Sequence, residues 1–196
     1  MDASPQQLQI ARNALAHRRN VRFVERSLED DPLDGQRVDW VYSRFLLMHV
    51  QDLRSALTSM AAMVADRGAL LLESADIGSL RFWPDDAASG LWRDWWYRLG
   101  RARGLCFDVA DRIEDLLVES GFTIHRKDRY QPITSSAEAK WVHALGFEQC
   151  ISAYRDEIGV AVEQIEAHHR YLDRVLRDPG VTISLFENVQ YIVRCS

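Results

Sequence analysis

Short apolar runs alternate with segments of helical periodicity along the first half of the chain. Apolar residues at helical spacing predict a helix from Ser4 to His17, which Ser4 can cap and whose first turn Pro5 fits. A second helix is predicted after Asp52, with Gly68 as its stop signal. Strands are predicted at Val21–Glu25, Val38–Tyr42 and Ala69–Leu72. This order of elements, with short connections, indicates an open α/β sheet.

The stretch from Ile77 to about Gly104 differs from its surroundings in its aromatic content. It contains Phe82, Trp83, Trp92, Trp95, Trp96 and Tyr97. A helical reading places Trp92, Trp95, Trp96 and Leu99 on one face. We interpret the stretch as a helical, aromatic-rich insertion. Its tryptophans either pack the insertion itself or wall an apolar or planar ligand.

Helix and strand patterns resume in the second half. A helix is predicted from Val109 to Glu119 with a stop at Gly121, then strands at Phe122–Arg126 and Val189–Val193. Between them lies a helical block from Ser136 to Arg177. Within it, one continuous apolar seam is predicted through Ile158, Val162, Ile165, His169, Leu172 and Leu176. The seam is expected to lie on the sheet or to form a dimer contact. Neighbouring helical residues do not face one metal together, so the adjacent pair His168 and His169 is not expected to bind a metal. The pair is expected at the surface.

Composition narrows the classes of partner. The chain has 196 residues, of which 47% are hydrophobic and 27% charged, and its net charge is −5. A mildly acidic protein of this kind is not expected to bind nucleic acid or an anionic membrane. No apolar stretch approaches the ~20 residues of a membrane helix, and no secretory signal is visible at the amino terminus. The three cysteines lie far apart, which predicts neither a disulfide framework nor a zinc site and favours the cytoplasm.

Several segments together carry a family resemblance. They are Met1–Pro5, Val21–Glu25, Val38–Val50 with its Leu-x-x-His pattern, and Leu70–Glu73 followed by Asp76. In order and spacing they resemble the class I S-adenosylmethionine-dependent methyltransferases, most of all the small-molecule enzymes of bacterial secondary metabolism. The resemblance covers residues 2–76 and, more loosely, 109–126. It implies a Rossmann-like sheet, S-adenosylmethionine as cofactor, a small-molecule acceptor and no metal.

The resemblance divides the chain into three parts. Residues 1–76 are expected to form the cofactor-binding α/β part, and residues 77–108 the aromatic-rich cap. Residues 109–196 are expected to form a C-terminal α/β part that contains the helical segment 136–177.

Cofactor contacts are implied position by position. Asp2, with Ala3 beside it, matches the acidic residue that accepts hydrogen bonds from the two ribose hydroxyls, a task suited to an acceptor-only carboxylate. Ser27 stands where the family usually has an Asp that holds the adenine amino group, and Leu28 can offer its backbone N–H to the ring. Alternatively, Asp2 serves only as a cap near the chain terminus, and Ser27 is a serine of a loop without a role in binding.

The methionine half of the cofactor is implied at the next strand end. Ser43, Arg44 and Phe45 line it in the family, and Arg44 either pairs with the cofactor carboxylate or forms a structural ion pair. His49 is the candidate general base, with helix capping and packing under the cofactor as its alternatives. The candidate substrate-binding residues are Trp83, Trp92 and Trp96.

Two elements of the family pattern are altered. No Gly-x-Gly occurs in the chain, whose first glycine is Gly35, and the family's Pro-Gly-Gly is replaced by Asp66-Arg67-Gly68. The sequence therefore resembles a methyltransferase without its first strand and helix, which would leave two parallel strands ~9–10 Å apart. We expect a fragment of a longer product; the alternatives are a strand supplied by another chain and closure of the remaining strands.

The leading hypothesis is methyl transfer to an oxygen, nitrogen or carbon of a small molecule. The alternative is a non-catalytic, truncated fold that serves as an interaction or dimerisation module through the seam. A nucleotide-dependent reductase shares the α/β pattern but is disfavoured, because no Tyr-x-x-x-Lys-type pair is found.

Overall fold

Two sheets and six helices make up the part of the chain that a computed structural model describes, residues 1–28, 33–84, 87–107 and 109–195. The helices are α1 (Pro5–Ala14), α2 (Leu53–Met63), α3 (Ala87–Ala102), α4 (Val109–Glu119), α5 (Ala137–Ile158) and α6 (Val162–Arg177). The strands are β1 (Val38–Arg44), β2 (Val64–Asp76), β3 (Phe82–Trp83), β4 (Phe122–Tyr130), β5 (Ile133–Thr134), β6 (Thr182–Ser184) and β7 (Glu187–Cys195). The predicted part boundaries at 108 and 196 lie outside the described residues. None of the helices in the described ranges is long and apolar enough to cross a membrane.

The main sheet has the strand order β1-β2-β7-β4. β1 and β2 run parallel, and Arg44 is paired in register with Glu73. β7 runs antiparallel to both of its neighbours, β2 and β4. The predicted strand Val189–Val193 is confirmed as part of β7, which lies inside the sheet. The mixed α/β architecture agrees with the predicted Rossmann-like fold class.

Local signals placed the helix starts correctly. Ser4 accepts a hydrogen bond from the backbone N–H of Gln7 at the start of α1, and Asp52 accepts one from Ser55 at the start of α2. The predicted stop at Gly68 is wrong, because β2 has already begun at Val64.

Gly68 has a different role, within a strand irregularity. The pairing of β1 with β2 shifts register between Val38 and Trp40, opposite Gly68. A Cβ atom at position 68 would lie 2.5 Å from the carbonyl oxygen of Asp39. The glycine therefore permits a close approach of two backbones at a bulge.

The predicted strand Val21–Glu25 is reduced to a single parallel bridge between Glu25 and Asp2. The backbone N–H of Asp2 donates to the carbonyl of Val24 at 3.2 Å, and that of Arg26 donates to the carbonyl of Asp2 at 3.3 Å. With only one short neighbour, this segment cannot extend a ladder, which is why the prediction of a full strand is wrong.

The remaining strands do not close up. Within the described residues, β1 has a ladder on one edge only, and a cavity of about 210 Å³ lies between its other edge and the Met1–Asp2 segment. We name it the β1 cavity; it is lined by Met1, Asp2, Leu28, Val41, Tyr42, Ser43, Arg44, Leu46, Met60 and Met63. The sequence alternative in which the strands close together is thereby corrected.

The two faces of the main sheet differ in their cover. α2 and α4 pack on one face, where Leu57, Leu70 and Ile113 are fully buried. On the opposite face, Trp40 and Tyr42 of β1 are each 61% exposed. The main core therefore lies on one side of the sheet.

A second layer joins the aromatic insertion to the C-terminal helices. α3, α5 and α6 pack against one another, beside a small sheet with the order β3-β6-β5. Their shared core includes Trp95, Phe147 and Tyr154, all fully buried. Trp95 therefore packs the interior, whereas Trp92 and Trp96 also reach a cavity described below.

The predicted seam is interrupted at Gly159. This glycine adopts a left-handed conformation (φ 66°) and ends α5, so that Ile158 and the later seam residues belong to different helices. The buried residues of α6 are Ile165, His168, Tyr171, Leu172 and Val175. His169 and Val162 are exposed, so a single continuous seam is wrong. The loop between the helices changes the phase of the apolar face.

The prediction that both histidines of the pair lie at the surface is wrong for His168. His169 is exposed, but His168 is 1% exposed and its ring centroid lies 4.7 Å from that of Phe147. Because α6 packs on α3 and α5 rather than on the main sheet, the residue facing those helices is the first of the pair.

Candidate functional site

A cavity of about 420 Å³ lies next to the short parallel bridge at the start of the chain. We name it the Asp2 cavity; it is lined by Met1, Asp2, Ala3, Arg26, Ser27, Leu28, Leu46, His49, Val50, Gln51, Ala56 and Leu105. Five residues singled out from the sequence therefore meet here: Asp2, Ala3, Ser27, Leu28 and His49. The walls are mainly apolar, with a carboxylate and a hydroxyl among them.

Asp2 is held by its backbone at the rim of this cavity. Its Oδ1 atom accepts a hydrogen bond from the backbone N–H of Ser4 at 2.8 Å, next to the start of α1. A carboxylate has about four acceptor positions, so one bond to Ser4 leaves capacity for two further donors. The arrangement suits a ligand with neighbouring hydroxyl groups.

Arg44 forms an ion pair at the end of β1. Its Nε lies 3.3 Å from Oε1 of Glu73, and the Tyr42 hydroxyl donates to Oε2 of the same carboxylate at 2.7 Å. This hydrogen bond raises the pKa of Tyr42. The structural ion pair foreseen for Arg44 is therefore present. A guanidinium has five N–H donors, and Arg44 keeps donors for a second carboxylate.

Phe45 turns the chain sharply after β1. Its φ is 52°, in the left-handed region that a bulky residue rarely adopts, and its N–H donates to the carbonyl of Glu73 at 2.8 Å. The Arg44 guanidinium lies over the Phe45 ring at 4.7 Å. Such strain costs on the order of 1–3 kcal/mol and is found mostly where a site requires it.

A third cavity, of about 360 Å³, is walled by aromatic rings. We name it the aromatic cavity; it is lined by Arg44, Phe45, Trp92, Trp96, Val142, His143, Gly146, Leu185, Phe186 and Asn188. Two of the predicted substrate-binding tryptophans, Trp92 and Trp96, lie here. Trp83 does not: it is part of β3, is exposed, and lines none of the three cavities described.

The three cavities form a row. The β1 cavity shares Arg44 with the aromatic cavity, and it shares four residues with the Asp2 cavity: Met1, Asp2, Leu28 and Leu46. Residues 44–46 therefore contact all three. Ser43, another predicted cofactor residue, lines the middle one.

Sequence reasoning missed His143, Phe186 and Asn188. His143 lies on α5, Phe186 directly precedes β7, and Asn188 lies in β7. All three are far along the chain from the segments that carry the family resemblance. The signal for His143 was its spacing of four residues from Phe147, which puts both on the buried side of a helix. Nothing in the sequence linked that face to Trp92.

His143 is a buried, neutral imidazole. It is 5% exposed, and its ring centroid lies 5.7 Å from that of Trp92 and 5.8 Å from that of Phe186. Burial lowers the pKa of His143 to about 4, so the ring is uncharged at neutral pH. Neither its Nε2 nor Oδ1 of Asn188 has a hydrogen-bond partner among the described residues.

His49 is connected to the wall of the aromatic cavity through the ring of Phe107. It lines the Asp2 cavity, and its ring centroid is 6.4 Å from that of Phe107, which is 5.5 Å from that of Trp96. Phe107 thus contacts both His49 and Trp96, a wall residue of the aromatic cavity. Partial burial lowers the pKa of His49, which favours the neutral, proton-accepting form.

The described ranges contain no group of three or more His, Cys, Asp or Glu side chains arranged to hold a metal ion. The polar groups of the row suit an organic ligand with hydroxyl and carboxylate groups.

Comparison with known families gives one match. The model of a methyltransferase domain matches residues 1–127. This range includes the Asp2 cavity, β1, β2 and α3, and it ends before α5 and β7. Among curated protein sequences, none matches the chain.

Solved structures share the fold at low sequence identity. A protein from Bacillus halodurans described as a methyltransferase is 16% identical, with 98% of this chain and 80% of that one covered and a TM-score of 0.61. The cyclase SpnF is 17% identical over 98% of this chain and 64% of its own, with a TM-score of 0.55. Mycolic acid cyclopropane synthase CmaA1, solved with S-adenosylhomocysteine and CTAB, is 13% identical over 97% of this chain and 67% of its own, with a TM-score of 0.52.

Proposed function

The chain belongs to the methyltransferase domain family, and from this premise we propose that it moves the methyl group of S-adenosylmethionine to a small molecule bound in the aromatic cavity. The acceptor atom is an oxygen, nitrogen or carbon. The resemblance to enzymes of bacterial secondary metabolism supports a small-molecule acceptor, and the three scattered cysteines support a cytoplasmic setting.

The observation that carries this proposal is the position of residues 44–46. Arg44 lines both the β1 cavity and the aromatic cavity, and Leu46 lines both the β1 cavity and the Asp2 cavity. A donor lying along the first two cavities and an acceptor in the third therefore meet beside Phe45. Methyl transfer is an in-line displacement, for which alignment of the two partners is the main requirement.

The residues of the Asp2 cavity fit the nucleoside half of the cofactor. We assign Asp2 to the ribose hydroxyls, with Ala3 beside it. Ser27 and Leu28 lie on the adenine side, where apolar walls complement a purine ring. The support is chemical: an acceptor-only carboxylate faces an otherwise mostly apolar cavity of about 420 Å³.

Ser43, Arg44 and Phe45 are assigned to the methionine half. Arg44 can donate to a ligand carboxylate while its Nε remains paired with Glu73. The left-handed Phe45 directs the backbone out of β1, so that adjacent residues line two cavities. When bound, S-adenosylmethionine supplies an electrophilic methyl group; the chain's own residues align the acceptor and exclude water.

His49 is kept as the candidate general base. The backbone N–H of His49 donates to the backbone carbonyl of Leu46. His49 therefore lies one turn after residues 44–46, where the three cavities adjoin. From there it accepts a proton at an imidazole nitrogen from an acceptor that reaches past Phe45. Its lowered pKa keeps it unprotonated at neutral pH.

Calorimetric titration with S-adenosylhomocysteine tests the proposal. We expect saturable binding at micromolar concentration and a loss of about 1–3 kcal/mol in Asp2→Ala, the scale for a charged hydrogen bond. Asp2→Asn keeps an oxygen for the Ser4 N–H and separates loss of charge from loss of the turn. Asp115→Asn on the exposed side of α4 is the matched control. Absence of binding by the wild type would contradict the proposed function, and wild-type affinity in Asp2→Ala would exclude Asp2 from the site.

One observation favours a second candidate, an interaction module. The continuous seam does not support this candidate, because α6 buries its apolar face within the chain. The exposed Trp40 and Tyr42 on the uncovered sheet face provide a different apolar surface. This candidate requires no affinity for S-adenosylhomocysteine, so the same titration distinguishes the two.

A further inference from the structure

Three side chains that line the aromatic cavity carry a buried polar atom with no partner among the described residues: Nε1 of Trp96, which is a donor, and Nε2 of His143 and Oδ1 of Asn188, which can accept. A buried polar group without a hydrogen bond costs about 1–3 kcal/mol. The two acceptors come from different elements, α5 and β7. A ligand that donates a hydrogen bond to the two acceptors would offset this cost for both of them.

The charge of the cavity argues for an uncharged ligand. Among its described lining residues, the one charged side chain is Arg44, and its Nε already faces Glu73 at 3.3 Å. His143 is neutral at physiological pH because of its burial. The remaining donors of Arg44 are assigned above to the carboxylate of the cofactor, and a cationic ligand would meet no carboxylate in the lining.

The walls argue for a flat ring. Trp92 and Trp96 meet edge to face at 83°, and Phe186 lies 6.1 Å from Trp96. Gly146 adds open space on the α5 side, since nothing lies within 4 Å of the position its Cβ would take. Ring systems bind such walls by stacking and edge contacts.

We infer that the methyl acceptor is an uncharged, flat ring compound bearing a hydroxyl or N–H group, and that His143 and Asn188 receive the hydrogen bond from that group. This inference rests on the proposed function, because that function is what makes the ligand a methyl acceptor. The family match ends at residue 127, so both polar residues lie beyond it.

Binding of three matched probes tests the inference at neutral pH. Naphthol offers a ring and a hydroxyl, naphthalene offers the ring alone, and naphthoate adds an anionic charge. We expect naphthol to bind about tenfold more tightly than naphthalene, and naphthoate to bind most weakly. Quenching of tryptophan fluorescence and calorimetry report the affinities.

Substitution of His143 and Asn188 tests whether these two residues cause the preference for naphthol over naphthalene. In His143→Phe and in Asn188→Leu, the advantage of naphthol over naphthalene should fall to less than threefold while naphthalene affinity is kept. His125→Phe, at an exposed position of β4, should leave all three affinities unchanged. Gly146→Leu fills the cavity without removing a buried group and should weaken naphthol and naphthalene alike, which keeps the test valid if a core variant fails to fold.

The result that overturns the inference is a naphthol preference that survives in both polar variants, or naphthoate as the tightest probe. Titration with S-adenosylhomocysteine in the same preparations separates the two levels. If the protein binds S-adenosylhomocysteine but does not prefer naphthol to naphthalene, the proposed class of acceptor is refuted while the result remains consistent with methyl transfer. No cofactor affinity in the wild type refutes the acceptor role even where naphthol binds.

Discussion

Trp92 donates a hydrogen bond from Nε1 to the hydroxyl of Tyr154 at 2.9 Å, in the interior between α3 and α5. Both side chains are buried, and burial raises the pKa of Tyr154, so the hydroxyl stays protonated at neutral pH. The bond fixes the tryptophan that walls the aromatic cavity against the helix that carries His143. Packing of the insertion and shape of the cavity are therefore coupled.

Removal of the Tyr154 hydroxyl should destabilise the protein. In Tyr154→Phe, the Trp92 N–H loses its partner in a buried position, and we expect the free energy of unfolding to fall by about 1–3 kcal/mol. Urea denaturation followed by circular dichroism measures the difference. Tyr130→Phe, at a site that is 68% exposed, is the control and should change stability by less than about 0.5 kcal/mol. Equal stability of both variants would show that this bond contributes nothing net.

Elements with strong local signals could be predicted from the sequence. α4 has the predicted limits, and α1 and α2 begin at the predicted caps Ser4 and Asp52. The segments near the strand ends also met as expected, because carboxyl ends of parallel strands lie at one edge of a sheet. Those signals depend only on neighbouring residues and on the strand order of a known family.

Features set by long-range packing could not be predicted. The aromatic cavity combines Phe45, Trp92, His143 and Asn188, which lie on four separate segments. The spacing of apolar residues on either side of Gly159 matches a single helix, so the sequence pattern does not reveal the break there. Trp83 is close in sequence to Trp92 and Trp96, but it lies on β3 and lines none of the three cavities.

Stability should depend on pH through His143. The pKa of its imidazole is about 4 in the folded protein and ~6.5 in an unfolded chain, so between these values the unfolded state binds more protons. The stabilising contribution is complete above pH ~6.5 and is lost as the pH falls toward 4. Its full size is about 3 kcal/mol.

The measurement is urea unfolding of wild type and His143→Phe at a series of pH values. Carboxylates that titrate below pH ~5 affect both proteins, and the difference between the two curves isolates the histidine. We expect wild type to lose stability relative to the variant as the pH falls from 6.5 to 4. Parallel curves over this range would contradict a buried neutral His143.

The general-base assignment of His49 predicts a loss of turnover rather than of binding. In His49→Gln, kcat for methyl transfer should fall by about 100-fold or more, while the affinity for S-adenosylhomocysteine changes less than about threefold. Because burial lowers the pKa of His49, the acidic limb of the wild-type rate profile should lie below pH ~6.5 and be absent in the variant. Exposed His125→Gln serves as control. Weakened cofactor binding with unchanged kcat would instead assign His49 to the cofactor wall.

Two glycines flanking the second half of α5 should respond oppositely to the same substitution. Gly159 has φ 66° with nothing within 4 Å of a built Cβ, so Gly159→Ala costs backbone energy alone, about 1–2 kcal/mol. Gly146 lies inside α5 with a helical backbone and equal space, so Gly146→Ala should stabilise by about 0.5–1 kcal/mol. Thermal and urea unfolding of the pair measure both changes. Stabilisation by Gly159→Ala would mean that α5 and α6 join into one helix in solution, which would restore the continuous seam and with it the case for a dimer contact.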